Sequence, residues 1–236
     1  MSTILHHILD TVTTTASQGR RPICIFDIDG TLLMTRARTV SILNDFAKHT
    51  QNEALRAAIS SISNDEQQYT IFDPLQARIS LTKPERRSIL NWWKDRFFTS
   101  DWCREDPIIA GGPAFVNACH QRGALVYYLT GRHHPDMAPG TVACLLKRGF
   151  PLLDGRAILQ LKADVDQNDE QYKAAAIGEI NRLGGTVVAT FENEPGNANL
   201  FAAHFSQATH VLVGNTHRPD APPPRSDLVR VHDFSM

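Results

Sequence analysis

The sequence lacks most of the features that would assign a protein to a class at once. Its formal net charge of −1 gives no general attraction to nucleic acid or to an anionic membrane. No apolar run approaches the roughly 20 residues that span a bilayer. The N-terminal segment has no basic start followed by an apolar block, so no signal peptide is predicted. We expect a cytoplasmic protein with no membrane partner, and the balanced charge argues against strong binding to nucleic acid.

The cysteines are few and scattered, and no CxxC pair occurs among them. That spacing argues against a structural zinc site and against a disulfide framework. Reduced thiols are the simplest interpretation, and they agree with a cytoplasmic location. The four residues are Cys24, Cys103, Cys119 and Cys144.

Apolar segments that alternate with helical segments are what the sequence does contain. The apolar segments show no polar alternation, as expected for parallel strands that are covered on both faces. Amphipathic segments lie between them, and several end at a glycine. This order predicts an α/β fold with a Rossmann-like, doubly wound parallel sheet. The predicted strands cover residues 23–28, 124–130, 157–161, 186–191, 210–214 and a short piece within 228–234.

One long region interrupts the alternation. Residues 36–106 show helical patterns and no convincing strand, and Thr82 and Glu85 have the spacing of a capping box. We therefore predict a mostly helical insert after the first core strand. The predicted α/β core then comprises residues 1–35 and 107–236 and begins with an amphipathic helix.

The stretch "DIDG" ends the first predicted strand with two carboxylates, Asp27 and Asp29. In open parallel sheets, ligands bind at the carboxyl ends of the strands. Two neighbouring carboxylates repel each other unless they share a cation or one of them is protonated. Mg²⁺ prefers oxygen ligands and would remove the conflict. Gly30 would allow the chain to leave the strand tightly.

Polar residues also follow the later strands. A hydroxyl and free backbone N–H groups at a strand end suit an anionic oxygen, and a nearby lysine can neutralise its charge. Two lysines and two glutamates also lie at or after the ends of later strands. The candidates are Thr130, Gly131 and Arg132 in "LTGR", Lys162 or Lys173, and Glu192 or Glu194 in "ENEPGN".

"DIDGTL" resembles the first motif of the haloacid dehalogenase superfamily, most of whose members are phosphatases. The run "TGRHHPDMAPGTVACLLKRGFP" is similar to the acid-phosphatase-like subgroup, in which a Gly-Thr helix start and a Gly-Phe-Pro helix end follow TGR. The resemblance covers most of residues 22–215 apart from the insert. It implies that the insert is a cap over the site.

The resemblance also implies roles for individual residues. Asp27 would attack phosphorus and form an aspartyl-phosphate, and Asp29 would act as general acid and base. Thr130, with Gly131 and Arg132, would bind the phosphoryl group. The subgroup's preference for an aromatic residue before the motif lysine favours Lys173, which follows Tyr172, over Lys162. The implied metal ligands are Asp27, the backbone carbonyl of Asp29, and either Glu192 or Glu194, with the choice between the two glutamates open.

We therefore predict a Mg²⁺-dependent phosphatase that hydrolyses the phosphate monoester of a small metabolite. A phosphotransferase or mutase would use the same residues and differ in the cap. A phosphate-binding regulatory module with weak catalysis is a third reading, which the unusual "ENEP" sequence supports. The identity of the ester and the oligomeric state are not encoded in any pattern that we recognise.

Overall fold

The computed structural model describes residues 3–62, 70, 72–214 and 216–236. Six parallel strands form a single sheet in the order β3-β2-β1-β4-β5-β6. The arrangement confirms the predicted doubly wound α/β fold. The strands are β1 (Pro22–Phe26), β2 (Leu125–His133), β3 (Ala157–Lys162), β4 (Thr186–Glu192), β5 (Thr209–Val213) and β6 (Val229–Val231).

Strand β1 is buried on both faces, which explains its lack of polar residues. Cys24 and Phe26 belong to the apolar cluster on one face, while Ile23 and Ile25 belong to the cluster on the other. Because successive side chains of a strand point to opposite faces, every residue of β1 has to be apolar.

Ten helices lie within the described residues, and five of them cover the sheet. Helices α1, α7 and α8 contribute to the cluster that contains Phe26, and α9 and α10 contribute to the cluster that contains Ile25. The predicted N-terminal helix is confirmed. The helices are α1 (Thr3–Ser17), α2 (Thr35–His49), α3 (Glu53–Ser60), α4 (Asp73–Gln76), α5 (Lys83–Phe97), α6 (Ser100–Cys103), α7 (Gly112–Gln121), α8 (His134–Lys147), α9 (Asp169–Arg182) and α10 (Pro195–His204).

The region between β1 and α7 is helical, as predicted. Helices α2–α5 share an apolar cluster of their own, which includes Leu43, Leu55 and Ile89. The capping box at Thr82 and Glu85 is present at the start of α5. Residues 63–69 and 71 of the predicted insert lie outside the described residues. The division into a core and a separate cap domain stays a prediction.

The contacts between the insert and the core include two that involve the backbone. Its entry and exit segments are hydrogen-bonded to each other, since Met34 N donates to Pro107 O at 2.8 Å and Ile109 N donates to Leu32 O at 2.9 Å. Helix α6 packs directly on α8 at Gly140, where a Cβ would lie 2.4 Å from the carbonyl oxygen of Ser100. A side chain at this glycine would therefore push the two helices apart.

The strand order reverses direction between β1 and β4, which are neighbours in the sheet although β2 and β3 separate them in sequence. A crevice opens at the carboxyl edge of an α/β sheet at such a point, and ligands bind there. Asp27 follows β1 and Glu192 ends β4, so both residues lie at this crevice. No helix among the described residues is long and apolar enough to cross a membrane.

Candidate active site

A buried lysine joins the two carboxylates at the crevice. Lys173 Nζ donates to Asp27 Oδ1 at 2.8 Å and to Glu192 Oε1 at 2.6 Å. The two carboxylate oxygens therefore lie no farther apart than the sum of these distances. The exposed side-chain fractions are only 3% for Lys173, 6% for Asp27 and 1% for Glu192. We call these three residues the lysine cluster.

Burial and charge act against each other in the lysine cluster. Burial raises the pKa of Asp27, although Lys173 and Thr31 act to lower it. Burial likewise raises the pKa of Glu192 to about 8 against the opposing effect of Lys173. Burial would lower the pKa of Lys173, but the two carboxylates outweigh it, raise that pKa and keep the ammonium charged. One ammonium thus stabilises two carboxylates incompletely, and the cluster has the chemistry of a site for a further cation.

The loop after β1 aims Asp27 through short local contacts. Thr31 Oγ1 donates to Asp27 Oδ2 at 3.0 Å. Gly30 has a φ of +80°, and a Cβ at this position would lie 2.5 Å from Asn193 Nδ2. Glycine is therefore required both by the backbone conformation and by the approach of the segment after β4.

Thr130 and Gly131 lie on β2, beside the strand that leads to Asp27. Thr130 is fully buried, and its hydroxyl accepts the backbone N–H of Arg132 at 3.2 Å. A Cβ on Gly131 would lie 2.8 Å from Asp169 Oδ2 at the start of α9. The start of α9 therefore approaches the end of β2 closely, which brings Lys173 on the second turn of that helix towards Asp27.

The structure distinguishes the two candidate lysines by their partners. Lys173 contacts Asp27, whereas Lys162 Nζ contacts Asp169 Oδ1 at 2.7 Å and Gln167 O at 2.9 Å. Lys162 thus holds the loop that precedes α9. Only Lys173 of the two is in contact with the predicted nucleophile.

The two candidate glutamates also have different surroundings. Glu192 lies in the lysine cluster, while Glu194 accepts the backbone N–H of Arg218 at 3.1 Å and lies 3.7 Å from Arg218 Nε. A groove of about 250 Å³ opens beside Glu194, and it is lined also by Asn168, Asp169, Glu170 and Arg218. Glu192 is therefore the glutamate that adjoins Asp27, and Glu194 belongs to the rim.

Asp29 points away from the lysine cluster and towards two arginines. Its Oδ1 accepts from Arg132 Nε at 2.9 Å, from Arg132 Nη2 at 2.5 Å and from Arg38 Nη2 at 3.4 Å. Burial alone would raise the pKa of Asp29, but Arg132 and Arg38 outweigh it and lower the pKa below its ordinary value. The Asp29 side chain keeps 30% of its surface exposed, so this carboxylate remains open to a ligand.

Arg132 was predicted to bind phosphate, and its guanidinium already has protein partners. Besides Asp29, it donates to Asp106 Oδ2 at 2.6 Å and to Thr141 Oγ1 at 3.1 Å. Arg132 is 2% exposed. A phosphate role for Arg132 stays a prediction, while its observed contacts are those of a group that orients Asp29.

Two residues of this neighbourhood were missed by the sequence analysis. Arg38 lies on α2, the first helix of the insert, and Asp106 lies just after α6. Arg38 Nε donates to Asp106 Oδ1 at 2.9 Å, although 68 positions separate the two residues. Neither residue ends a predicted strand, and no spacing signal connects them. The first turn of α2 contains two arginines, Arg36 and Arg38, and no local signal distinguishes Arg38 from its neighbour.

A divalent cation fits the lysine cluster, which contains Asp27 and Glu192, one of the two glutamates that the sequence left as alternatives. Glu192 Oε2 is buried and has no hydrogen-bond partner, so it can accept a cation. Asp27 and the backbone carbonyl of Asp29 supply further oxygens, the donor type that Mg²⁺ prefers. The side chains of Asp29 and Glu194 are turned to arginines. Among the described residues, no three side chains of the His, Cys, Asp or Glu type are grouped to hold a metal.

Comparison with known proteins identifies the fold. No protein-family model and no curated protein sequence matches the chain. A protein from Burkholderia xenovorans LB400 assigned as a haloacid dehalogenase-like hydrolase is 11% identical, with coverage of 91% of this chain and 94% of that one and a TM-score of 0.54. A protein from Clostridium difficile assigned as a phosphatase is 11% identical, with coverage of 82% and 85% and a TM-score of 0.53.

Protein tyrosine kinase A of Mycobacterium tuberculosis is similar as well, at 15% identity, with coverage of 91% of this chain and 95% of that one and a TM-score of 0.54. These neighbours share an architecture with this chain over nearly its whole length. The chain therefore has the haloacid dehalogenase-like fold. At such low identities the likeness establishes the architecture, and the chemistry has to be argued from the site.

Proposed function

We propose that this protein is a divalent-metal-dependent phosphohydrolase that acts on a phosphate monoester. The observation that carries the proposal is the lysine cluster: Asp27 and Glu192 face each other across Lys173 at the crevice of the sheet. Asp29 follows Asp27 by two residues and is partly exposed. A nucleophile, a charge-neutralising lysine, cation ligands and a second acid are the parts that phosphoryl transfer requires.

In the proposed reaction, Asp27 attacks phosphorus. The bond from Asp27 to phosphorus forms while the bond from phosphorus to the ester oxygen breaks. Asp29, which first takes up a proton from the monoanionic phosphate ester or from water, gives that proton to the departing oxygen. Water then attacks the aspartyl-phosphate and passes a proton to Asp29, which releases phosphate and restores Asp27. Lys173 stabilises the negative charge of the phosphoryl oxygens throughout.

Asp27, Glu192 and the carbonyl of Asp29 are the residues that would hold Mg²⁺. When bound, the ion supplies Lewis-acid stabilisation of charge on the phosphoryl group. We propose in addition that α2–α6 act as a cap that selects the substrate, a small phosphorylated metabolite. The contact of Arg38 on α2 with Asp29 supports such an arrangement, because a residue of the insert then reaches the reacting end of the sheet.

Transfer of the phosphoryl group to an alcohol is the second candidate function. The fold shared with protein tyrosine kinase A favours it, because that neighbour is named for phosphotransfer. The same residues would carry the reaction, and the acceptor would replace water. Comparing released phosphate with phosphate transferred to an added alcohol separates the two functions.

The test is phosphate release from a panel of aryl and alkyl phosphates with Mg²⁺ or with a chelator. We expect turnover that requires the metal and that falls at least about 10³-fold in Asp27→Asn, since the nucleophile is lost. Glu53→Gln, on the exposed face of the insert, is the matched control and should retain activity. Binding of Mg²⁺ and phosphate without turnover of any ester would instead support a regulatory phosphate-binding module.

A further inference from the structure

Asp29, Arg38, Asp106 and Arg132 form a closed ring of alternating charge, which we call the arginine–aspartate square. Arg132 Nη2 bridges Asp29 Oδ1 at 2.5 Å and Asp106 Oδ2 at 2.6 Å. Arg38 Nη2 bridges the same two oxygens at 3.4 Å and 2.5 Å. The Nη2 atom of each arginine thus contacts both Asp29 and Asp106.

The two aspartates of the square differ in exposure, and they are linked only through the two arginines. The exposed side-chain fraction is zero for Asp106, Arg38 and Arg132, whereas Asp29 is 30% exposed. All the arginine contacts of Asp29 fall on Oδ1. The second oxygen, Oδ2, is therefore the one left to exchange a proton with a substrate.

The position of Asp106 is itself determined by the core. Its backbone carbonyl accepts from Arg148 Nε at 3.0 Å and from Cys144 Sγ at 3.6 Å, and both donors come from the end of α8. Arg38 is oriented further by its donation to Phe97 O at 2.8 Å and by its stacking over the Phe97 ring at 4.3 Å. Contacts outside the square therefore hold both Asp106 and Arg38 in position.

We infer that Asp106 is a positioning residue, which acts through Arg38 and Arg132 to hold Oδ1 of Asp29 so that Oδ2 meets the departing ester oxygen. The inference rests on the proposed function, because it assigns a purpose to the acid of that reaction. Two guanidinium groups without Asp106 would both turn their free donors to Asp29. The carboxylate would then be drawn towards the arginines and away from the leaving group.

Substrates with different leaving groups make the inference testable. p-Nitrophenolate departs without protonation, whereas an alkoxide such as that of β-glycerophosphate needs a proton from the acid. In Asp106→Asn we expect kcat to fall on the order of 10²-fold for the alkyl ester and less than about 3-fold for the aryl ester. KM should change less than about 2-fold for either ester. A purely structural role would lower both kcat values together.

The control is Glu105→Gln, because Glu105 is the neighbouring residue and pairs with Lys147 at the surface at 2.7 Å. It should leave both kcat values unchanged. If Asp106→Asn does not fold, Arg38→Lys provides the second variant, since it keeps the buried charge but loses the fork that spans both aspartates. It should show the same selective loss for the alkyl ester.

An equal loss of kcat for both esters, or a rise in KM alone, would overturn the inference while the proposed function stands. Inactivity of the wild-type protein towards both esters would overturn the proposed function, and the inference would fall with it. Activity of Asp27→Asn equal to that of the wild type would have the same consequence. Failure of the inference is therefore seen in Asp106→Asn alone, whereas failure of the proposed function is seen in the wild-type protein or in Asp27→Asn.

Discussion

Two buried charge clusters lie next to each other at the carboxyl edge of the sheet, and they differ in how their charge is balanced. The lysine cluster sets two carboxylates against one ammonium, while the arginine–aspartate square sets two carboxylates against two guanidinium groups. A buried set of charges is tolerated only when its members are matched and hydrogen-bonded. The charges of the square are therefore balanced, whereas the lysine cluster carries one negative charge that a further cation would compensate.

This difference assigns different tasks to residues that are only two positions apart. Asp27 belongs to the unbalanced cluster, in which a cation and an incoming phosphoryl group can be accommodated. Asp29 belongs to the balanced square, in which one oxygen is held and the other is presented. Neighbouring carboxylates thus receive distinct environments, which is a common basis for distinct acid and nucleophile roles.

The largest expected effect separates the two glutamates after β4. Glu192→Gln removes a charge from the lysine cluster, and we expect kcat/KM to fall about 10³-fold, because cation binding and phosphoryl charge stabilisation are both weakened. Glu194→Gln should change kcat/KM less than about 3-fold, since Glu194 pairs with Arg218 at the partly exposed rim and has no contact with Asp27 or Lys173. Steady-state kinetics with an aryl phosphate measure both. A larger loss in Glu194→Gln than in Glu192→Gln would reverse the assignment of the ligand.

Removing one positively charged side chain from each cluster, Lys173 or Arg132, tests the comparison directly. Lys173→Met and Arg132→Met each leave buried carboxylates with too little positive charge, so each should lower the free energy of unfolding by about 3 kcal/mol in the presence of chelator. Mg²⁺ should restore part of the loss in Lys173→Met only. Urea denaturation with and without Mg²⁺ provides the measurement. Equal recovery of the two variants would mean that the clusters do not differ as described.

A smaller effect concerns the wild-type protein and its metal. At a Mg²⁺ concentration of ten times Kd, binding to the folded state alone should stabilise the protein by about 1.4 kcal/mol. For a chain of this size the melting temperature should then rise by about 3–5 °C. Asp106→Asn should keep this shift, because the square contributes no side chain to the proposed metal ligands and only the backbone carbonyl of Asp29, while Asp27→Asn should lose it. Thermal unfolding recorded in chelator and in Mg²⁺ decides between these outcomes.

The smallest expected effect is a loss of stability without a loss of activity, and it concerns the start of α5, which contacts neither cluster. Thr82→Ala removes the capping box of α5 and should cost about 1 kcal/mol of stability. Catalysis should be unaffected, because Arg38 is held to the core through Asp106 rather than through the start of α5. A fall in kcat at a temperature where the variant is folded would show that the geometry of the square depends on the start of α5.

The strands and the first aspartate were predictable because their causes are local. Continuous apolar segments such as 186–191 are required where helices cover both faces of a sheet, and the observed β4 differs from the prediction by a single residue. Asp27 was recognisable because it ends such a segment. In contrast, Lys162 ends β3 and Lys173 lies on the second turn of α9. Either position can place a lysine at the carboxyl edge of the sheet, so the sequence positions alone did not separate the two residues. The aromatic residue Tyr172 before Lys173 favoured Lys173 only through the family resemblance.

The pairing of Arg38 with Asp106 could not be predicted from the sequence. Each looks like an ordinary surface residue of a helical region, and their pairing joins two positions far apart in the chain. The contact depends on how α2 packs against α6 and how α6 packs against α8, which involves the close approach at Gly140. Packing of this kind is decided by the three-dimensional fit of several elements rather than by the pattern of any one of them.

The sequence by itself determined the alternation of strands and helices, the helical region between β1 and α7, and the presence of acids, a hydroxyl and a lysine at strand ends. These features follow from burial and backbone geometry within short segments. Only the tertiary structure decided which lysine and which glutamate meet Asp27, and that Asp29 faces two arginines. The reason is that charge partners are chosen by distance in space, and the crossover connections bring residues together that no local pattern relates.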